Sequence, residues 1–134
     1  MLGSLMLLGV SGAIAALGDT LFPVTSWAAG FAQDLSPSAH LFVRLRVLHP
    51  VIAVIATFYV LYVATRRQSS LGIALLIAIF AQVMLGAMNL VMLAPVWMQL
   101  IHLLAADAVW ILAVLYSADA DEAQPFTTRI PASE

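Results

Sequence analysis

The chain has 134 residues, of which 63% are hydrophobic and only 9% charged, with a formal net charge of -2. That leaves too little polar surface to cover a water-soluble globule of this size, so the solvent is lipid. All five basic residues are Arg, with no basic run and no aromatic-basic interleaving, which excludes nucleic acid as a partner. The absence of cysteine excludes disulfides, thiolate metal sites, iron–sulfur ligation and covalent haem attachment through C-x-x-C-H. A membrane helix needs about 20 apolar residues. Four spans with short connections therefore use nearly the whole length, and the expected fold is an all-α membrane protein, a four-helix transmembrane bundle over residues 1–118. Residues 119–134 read as a polar, disordered cytoplasmic tail.

The first helix is expected over Leu2–Leu17, with Gly18 to Pro23 stopping it. No basic residue precedes its apolar run, so it reads as a retained helix rather than a signal peptide. Residues 24–40 form the one long polar-leaning connection, where Trp27 and Phe31 stand four apart, as in a short interfacial helix. Ser36-Pro37-Ser38 leads into a second span over Leu41–Thr65, in which Pro50 removes a hydrogen bond to the carbonyl of Arg46 and predicts a bend. Arg66-Arg67-Gln68-Ser69-Ser70 turns into a third span over Leu71–Leu93. Ala94-Pro95 breaks the next junction, and a fourth span covers Val96–Ser117.

Positive-inside counting sets Arg66 and Arg67 at one end against Arg44 and Arg46 at the other, and Arg129 tips the balance. With the Arg66-Arg67 turn and the tail inside, Arg44 and Arg46 stand on the disfavoured outer side and ask for a partner. At 1.5 Å per residue, His49 lies about 12 Å below Leu41 and His102 about 7.5 Å below Trp97, at similar depths in the outer leaflet. Histidines so placed on two helices of a bundle suit ligation of one haem iron from opposite faces. They equally suit polar packing between helices, a proton relay or another metal, although few carboxylates are at hand to complete a smaller ion's shell. Ala53 and Ala106, each four residues after a histidine, leave room on the same faces. Arg46, three residues before His49, and Arg44 would suit the propionates of a haem, or lipid phosphates reached by snorkelling.

Other polar positions carry weaker signals. His40 reads as a surface or helix-start residue, with a part in cofactor access as the alternative. Asp107 is turned about 140° from His102 and is expected to be a neutral hydrogen-bonding group reaching Gln82 or Asn89, or else to handle protons. Gln99 is a candidate for the rim of the histidine cavity. Gly9, Gly12, Ala13 and Ala16 suggest a small-residue packing face, and Met84, Met88 and Met92 suggest core filling or an alternative iron ligand.

Four segments together resemble the haem A synthase family, specifically its C-terminal half: Gly12 to Pro23, Arg44-Leu45-Arg46-Val47-Leu48-His49-Pro50, Gln82-Val83-Met84-Leu85-Gly86, and Leu100-Ile101-His102-Leu103-Leu104. The similarity spans residues 3–117 and rests on the ordered set with its spacings. The resemblance implies an oxidoreductase of cytochrome oxidase biogenesis, converting a methyl group of haem O to the formyl group of haem A in a bacterial or archaeal plasma membrane. It further implies haem b as cofactor near the outer face, with His49 and His102 as axial iron ligands and a second four-helix half, a separate chain or another copy, as partner. The family's functional Glu in an outer loop is missing from this chain. Asp19 and Asp34, the acids in the corresponding loop, do not match it by spacing, so no catalytic residue is assigned. A stand-alone b-type electron-transfer cytochrome and a cofactor-free assembly subunit are the alternatives.

Overall fold

The computed structural model describes residues 1–67 and 69–122, with only the backbone of 121 and 122. Six helices are present: α1 (Leu2–Leu21), α2 (Trp27–Asp34), α3 (Leu41–Arg46), α4 (Leu48–Thr65), α5 (Ser70–Val91) and α6 (Val96–Glu122). Four spans are long and apolar enough to cross a membrane: Leu2–Leu21, Leu41–Thr65 (α3 with α4), Ser70–Val91 and Val96–Ala120. The chain is an integral membrane four-helix bundle.

The helix ends follow local chemistry. Helix α1 runs past Gly18 to Leu21, four residues beyond the expected stop, because Gly18 packs rather than terminates. A Cβ there would stand 2.9 Å from the carbonyl oxygen of Phe42, so its absence lets α1 and α3 cross closely. The stop comes at Phe22, which leaves the helical region (φ -129, ψ 61) as the residue preceding Pro23. Ser26 caps α2 by accepting from the amide of Ala29, and Ser69 caps α5 by accepting from Gly72. The second span is interrupted at Val47, between α3 and α4, where the Arg46 carbonyl has no amide to receive from Pro50. The chain leaves α5 through Leu93 and Ala94, both left-handed (φ 61 and 53), with the amide of Ala94 donating to the Asn89 carbonyl at 2.8 Å. Helix α6 continues to Glu122, five residues past the expected Ser117, and the rest of the expected tail, residues 123–134, lies outside the described residues.

Around the bundle α1 neighbours α4 and α6, and α5 neighbours the same two helices. The histidine-bearing helices α4 and α6 are thus diagonal, with no Cα of one within 8 Å of a Cα of the other. At the Arg66-Arg67 end the diagonal is filled by Val60, Ala64, Leu75, Ile79, Val109, Ala113 and Tyr116. The Tyr116 hydroxyl crosses from α6 to donate to the Val63 carbonyl at 3.0 Å. In lipid this packing stabilises through dispersion and interhelical hydrogen bonds rather than water exclusion. Outward positions such as Phe58, Ile77, Phe80 and Leu104 are large, apolar and exposed, as a lipid-facing surface requires. Met84, Met88 and Met92 belong to that surface, at 50%, 52% and 42% exposure, which corrects the expectation of core filling. The small-residue face of α1 is likewise rotated from its expected position: Ser11, Ala15 and Gly18 are buried, while a Cβ on Gly9 would meet nothing.

Candidate functional site

Toward the other end of the bundle the diagonal helices α4 and α6 each carry a histidine. His49 and His102 are both half-buried. Each imidazole rests on a glycine of a neighbouring helix. A Cβ on Gly12 of α1 would meet His49 Cε1 at 3.1 Å, and one on Gly86 of α5 would meet His102 Cε1 at 3.0 Å. Both distances are tighter than ordinary van der Waals contact, so the missing methyl groups are what allow the rings their seats.

The polar contacts of the two rings differ. Ser11 Oγ lies 3.0 Å from His49 Nδ1 and also donates to the Leu8 carbonyl at 2.8 Å. Gln82 places its amide nitrogen 3.1 Å from the His102 carbonyl and 3.4 Å from His102 Nε2. His102 Nδ1 and Gln82 Oε1 are buried with no hydrogen-bond partner, as is Asn89 Oδ1. Unpaired buried polar atoms cost free energy in an apolar medium; those of His102 and Gln82 stand together, while Arg67 Nη1 at the other end of the bundle is a further one. A cleft of about 40 Å³ between α1, α4, α5 and α6 reaches Gln82 and is otherwise lined by Thr57 and aliphatic side chains such as Leu5, Leu8, Ile79 and Val83, with neither histidine on its wall.

Arg46 lies outside this cavity. It is 9% exposed and makes five hydrogen bonds: Nε and NH2 donate to Asp34 Oδ1 at 2.9 and 2.6 Å, NH2 to Gln33 Oε1 at 2.8 Å, and NH1 to Asp19 Oδ1 and the Phe22 carbonyl, both at 3.3 Å. A guanidinium has five N–H donors. All are satisfied inside the protein, so the expected propionate contact of Arg46 has no donor left to make it. The residue instead ties the end of α1, the end of α2 and the end of α3 together. Sequence reading missed Asp19, Asp34 and Gln33 as its partners, because they lie 27, 12 and 13 positions away and only the folding back of residues 22–40 brings them in. Arg44 is exposed and donates to the Pro37 carbonyl. His40 caps α3, its Nδ1 accepting from the Phe42 amide at 3.3 Å, with its ring 5.0 Å from that of Phe22. Gln99 is turned to the Ala94 carbonyl, which it reaches at 2.6 Å, and not to the cavity.

Asp107 departs from its expected partners. It is exposed on the outer surface of α6, while Gln82 is engaged with His102 and Asn89 Oδ1 stays unpaired. A carboxyl group in mid-span on a lipid-facing surface is costly.

The donor set decides what the two histidines can hold. Among the described residues no group of three His, Cys, Asp or Glu side chains is placed to hold a metal ion. Two imidazoles alone underfill the shell of a free ion, whereas a porphyrin supplies four nitrogens and leaves two axial positions for them. The glycine seats, the orphaned His102 Nδ1 and the diagonal separation of α4 and α6 fit such a flat group. The fold and site thus define a membrane four-helix bundle with a histidine on each of two diagonal helices. The family model of the cytochrome oxidase assembly protein, COX15-CtaA, matches residues 1–114, and the chain belongs to that haem A synthase family. Two relatives, from two strains of Thermus thermophilus, are each 46% identical over 129 residues, and both are named protoheme IX farnesyltransferase. The alignments cover 89% of this chain but 21% of each relative, so the chain spans about one fifth of the length of the relatives it matches. No solved structure matches it.

Proposed function

We propose that this chain is the haem-b-binding half of a haem A synthase-like oxidoreductase, acting in the conversion of haem O to haem A together with a second four-helix half. The observation that carries the reading is the pair of glycine-seated histidines, His49 and His102, on diagonal helices with too few other ligands for a bare ion. When bound, haem supplies one-electron redox chemistry there. His49 and His102 would hold the group, aliphatic side chains would surround it, and Arg46 holds α2 and α3 in place. Arg44, exposed at the start of the second span, is the arginine left to meet the haem carboxylates. On this reading the site lies near the outer face of the membrane, with the Arg66-Arg67 turn inside.

Two observations support a partner. The relatives are about five times longer than the matched segment, and their printed name describes another haem-modifying protein. Asp107 faces outward in mid-span, where a hydrogen-bond donor from another membrane helix would satisfy it. Haem extracted from the purified chain should have the mass of haem b at one per chain, and haem O should be converted only when a second half is supplied. Purified chain without haem, or chain that converts haem O unaided, overturns the respective part of the proposal. Asp107→Leu should weaken copurification of the second half while leaving the haem spectrum unchanged.

A further inference from the structure

The two histidines are not held alike, and the difference assigns a role to a residue outside the ligand pair. Ser11 is buried on α1, one residue before the glycine that seats His49. Its hydroxyl has a single proton, which is directed to the Leu8 carbonyl at 2.8 Å. With that proton placed on the Leu8 carbonyl, the second contact of the same oxygen, 3.0 Å from His49 Nδ1, takes the imidazole as donor. An imidazole protonated at Nδ1 and neutral overall has its lone pair on Nε2, the nitrogen available to a metal. His102 has no such acceptor, since its Nδ1 is buried and unpaired and its Nε2 is approached by the Gln82 amide.

We propose that Ser11 is a positioning residue for His49: by accepting from Nδ1–H it fixes the tautomer and ring orientation that present Nε2 to haem iron, making His49 the prearranged ligand of the pair. The inference rests on the haem reading above only for the identity of the metal group. A hydrogen bond accepted from the distal nitrogen of a ligating imidazole also makes that ligand more electron-donating, which favours ferric over ferrous iron.

The test compares wild type, Ser11→Ala and Ser11→Thr in lipid nanodiscs, first without haem and then with added haem b. Alanine is small and helix-favouring, so folding is retained, and threonine restores the hydroxyl. In the haem-free protein, nitrogen NMR of labelled histidine at a pH where the rings are neutral should show His49 as the Nδ1–H tautomer alone. Ser11→Ala should give a mixture at His49 with His102 unchanged, and Ser11→Thr should restore the wild-type signal. With haem, Ser11→Ala should lose affinity on the order of 10-fold and shift the midpoint potential upward, and Ser11→Thr should reverse both. An unchanged His49 tautomer in Ser11→Ala overturns the proposal. So does a tautomer change with unaltered affinity and potential. Wild-type chain that takes up no haem overturns the haem reading itself and with it the ligand role, a result the haem-free spectra distinguish from failure of the Ser11 contact.

Discussion

The two ends of this bundle are built on different principles. At the Arg66-Arg67 end, Leu75 and Ala113 are fully enclosed, and side chains from α4, α5 and α6 fill the space across the diagonal. At the opposite end two imidazoles rest on glycines, the His102 Nδ1 and Gln82 Oε1 atoms are buried without partners, and an arginine brace spans the ends of three helices. The first end is closed by aliphatic packing, although Arg67 Nη1 there is also buried without a partner. The second holds side chains in place while leaving some of their bonding capacity unspent, as a cofactor site does.

That contrast can be broken at either end. The largest expected effect is at Arg46. Replacing it with Met leaves the Asp19 and Asp34 carboxylates without their guanidinium, and loss of one partner from a buried ion pair costs about 3–5 kcal/mol; unfolding in a mild detergent by denaturant titration should show it. Because Asp19 is 27% exposed and Asp34 24% exposed, water screens part of that cost and the lower figure is expected. At the packed end, Leu75→Ala should cost about 2–4 kcal/mol by opening a cavity, with the haem absorption spectrum unchanged. Gly86→Ala should do the reverse. Its new methyl would stand 3.0 Å from His102 Cε1, so haem affinity should fall on the order of 10-fold, about 1.4 kcal/mol, with little change in unfolding. The smallest effect belongs to the turn between α5 and α6. Ala94→Gly relieves a left-handed φ of 53° and should stabilise by up to about 1 kcal/mol, read as a small rise in unfolding midpoint.

Much of the architecture was legible before any coordinates, because lipid imposes a strict rule of one long apolar helix per span. The four spans, the interfacial helix beginning at Trp27 and the break caused by Pro50 all follow from local residues. Gly18 shows where local reading fails. Its glycine signal is shared by helix ends and by close helix crossings, and only the position of Phe42 tells them apart. That His49 and His102 lie in two different spans was also legible, from their positions along the chain. What lay hidden was every partner distant in sequence: Ser11 and Gly12 for His49, Gln82 and Gly86 for His102, and Asp19, Gln33 and Asp34 for Arg46. Helical spacing gives the face on which Arg46 sits relative to His49, but it does not show that loop acceptors arrive first and consume all five donors. The outward turn of Asp107 was hidden for a related reason, since an acid in a span is expected to point inward until the packing around α6 shows otherwise.

The central claim is that His49 and His102 clamp one haem across the diagonal of the bundle. The most direct measurement is the absorption and electron paramagnetic resonance spectrum of the purified, haem-loaded chain beside its His49→Ala and His102→Ala variants. The account predicts a low-spin six-coordinate haem b in the wild type and loss of that signal in each variant, with helix content retained. A low-spin signal that survives either substitution, or a wild type that shows none, would contradict it.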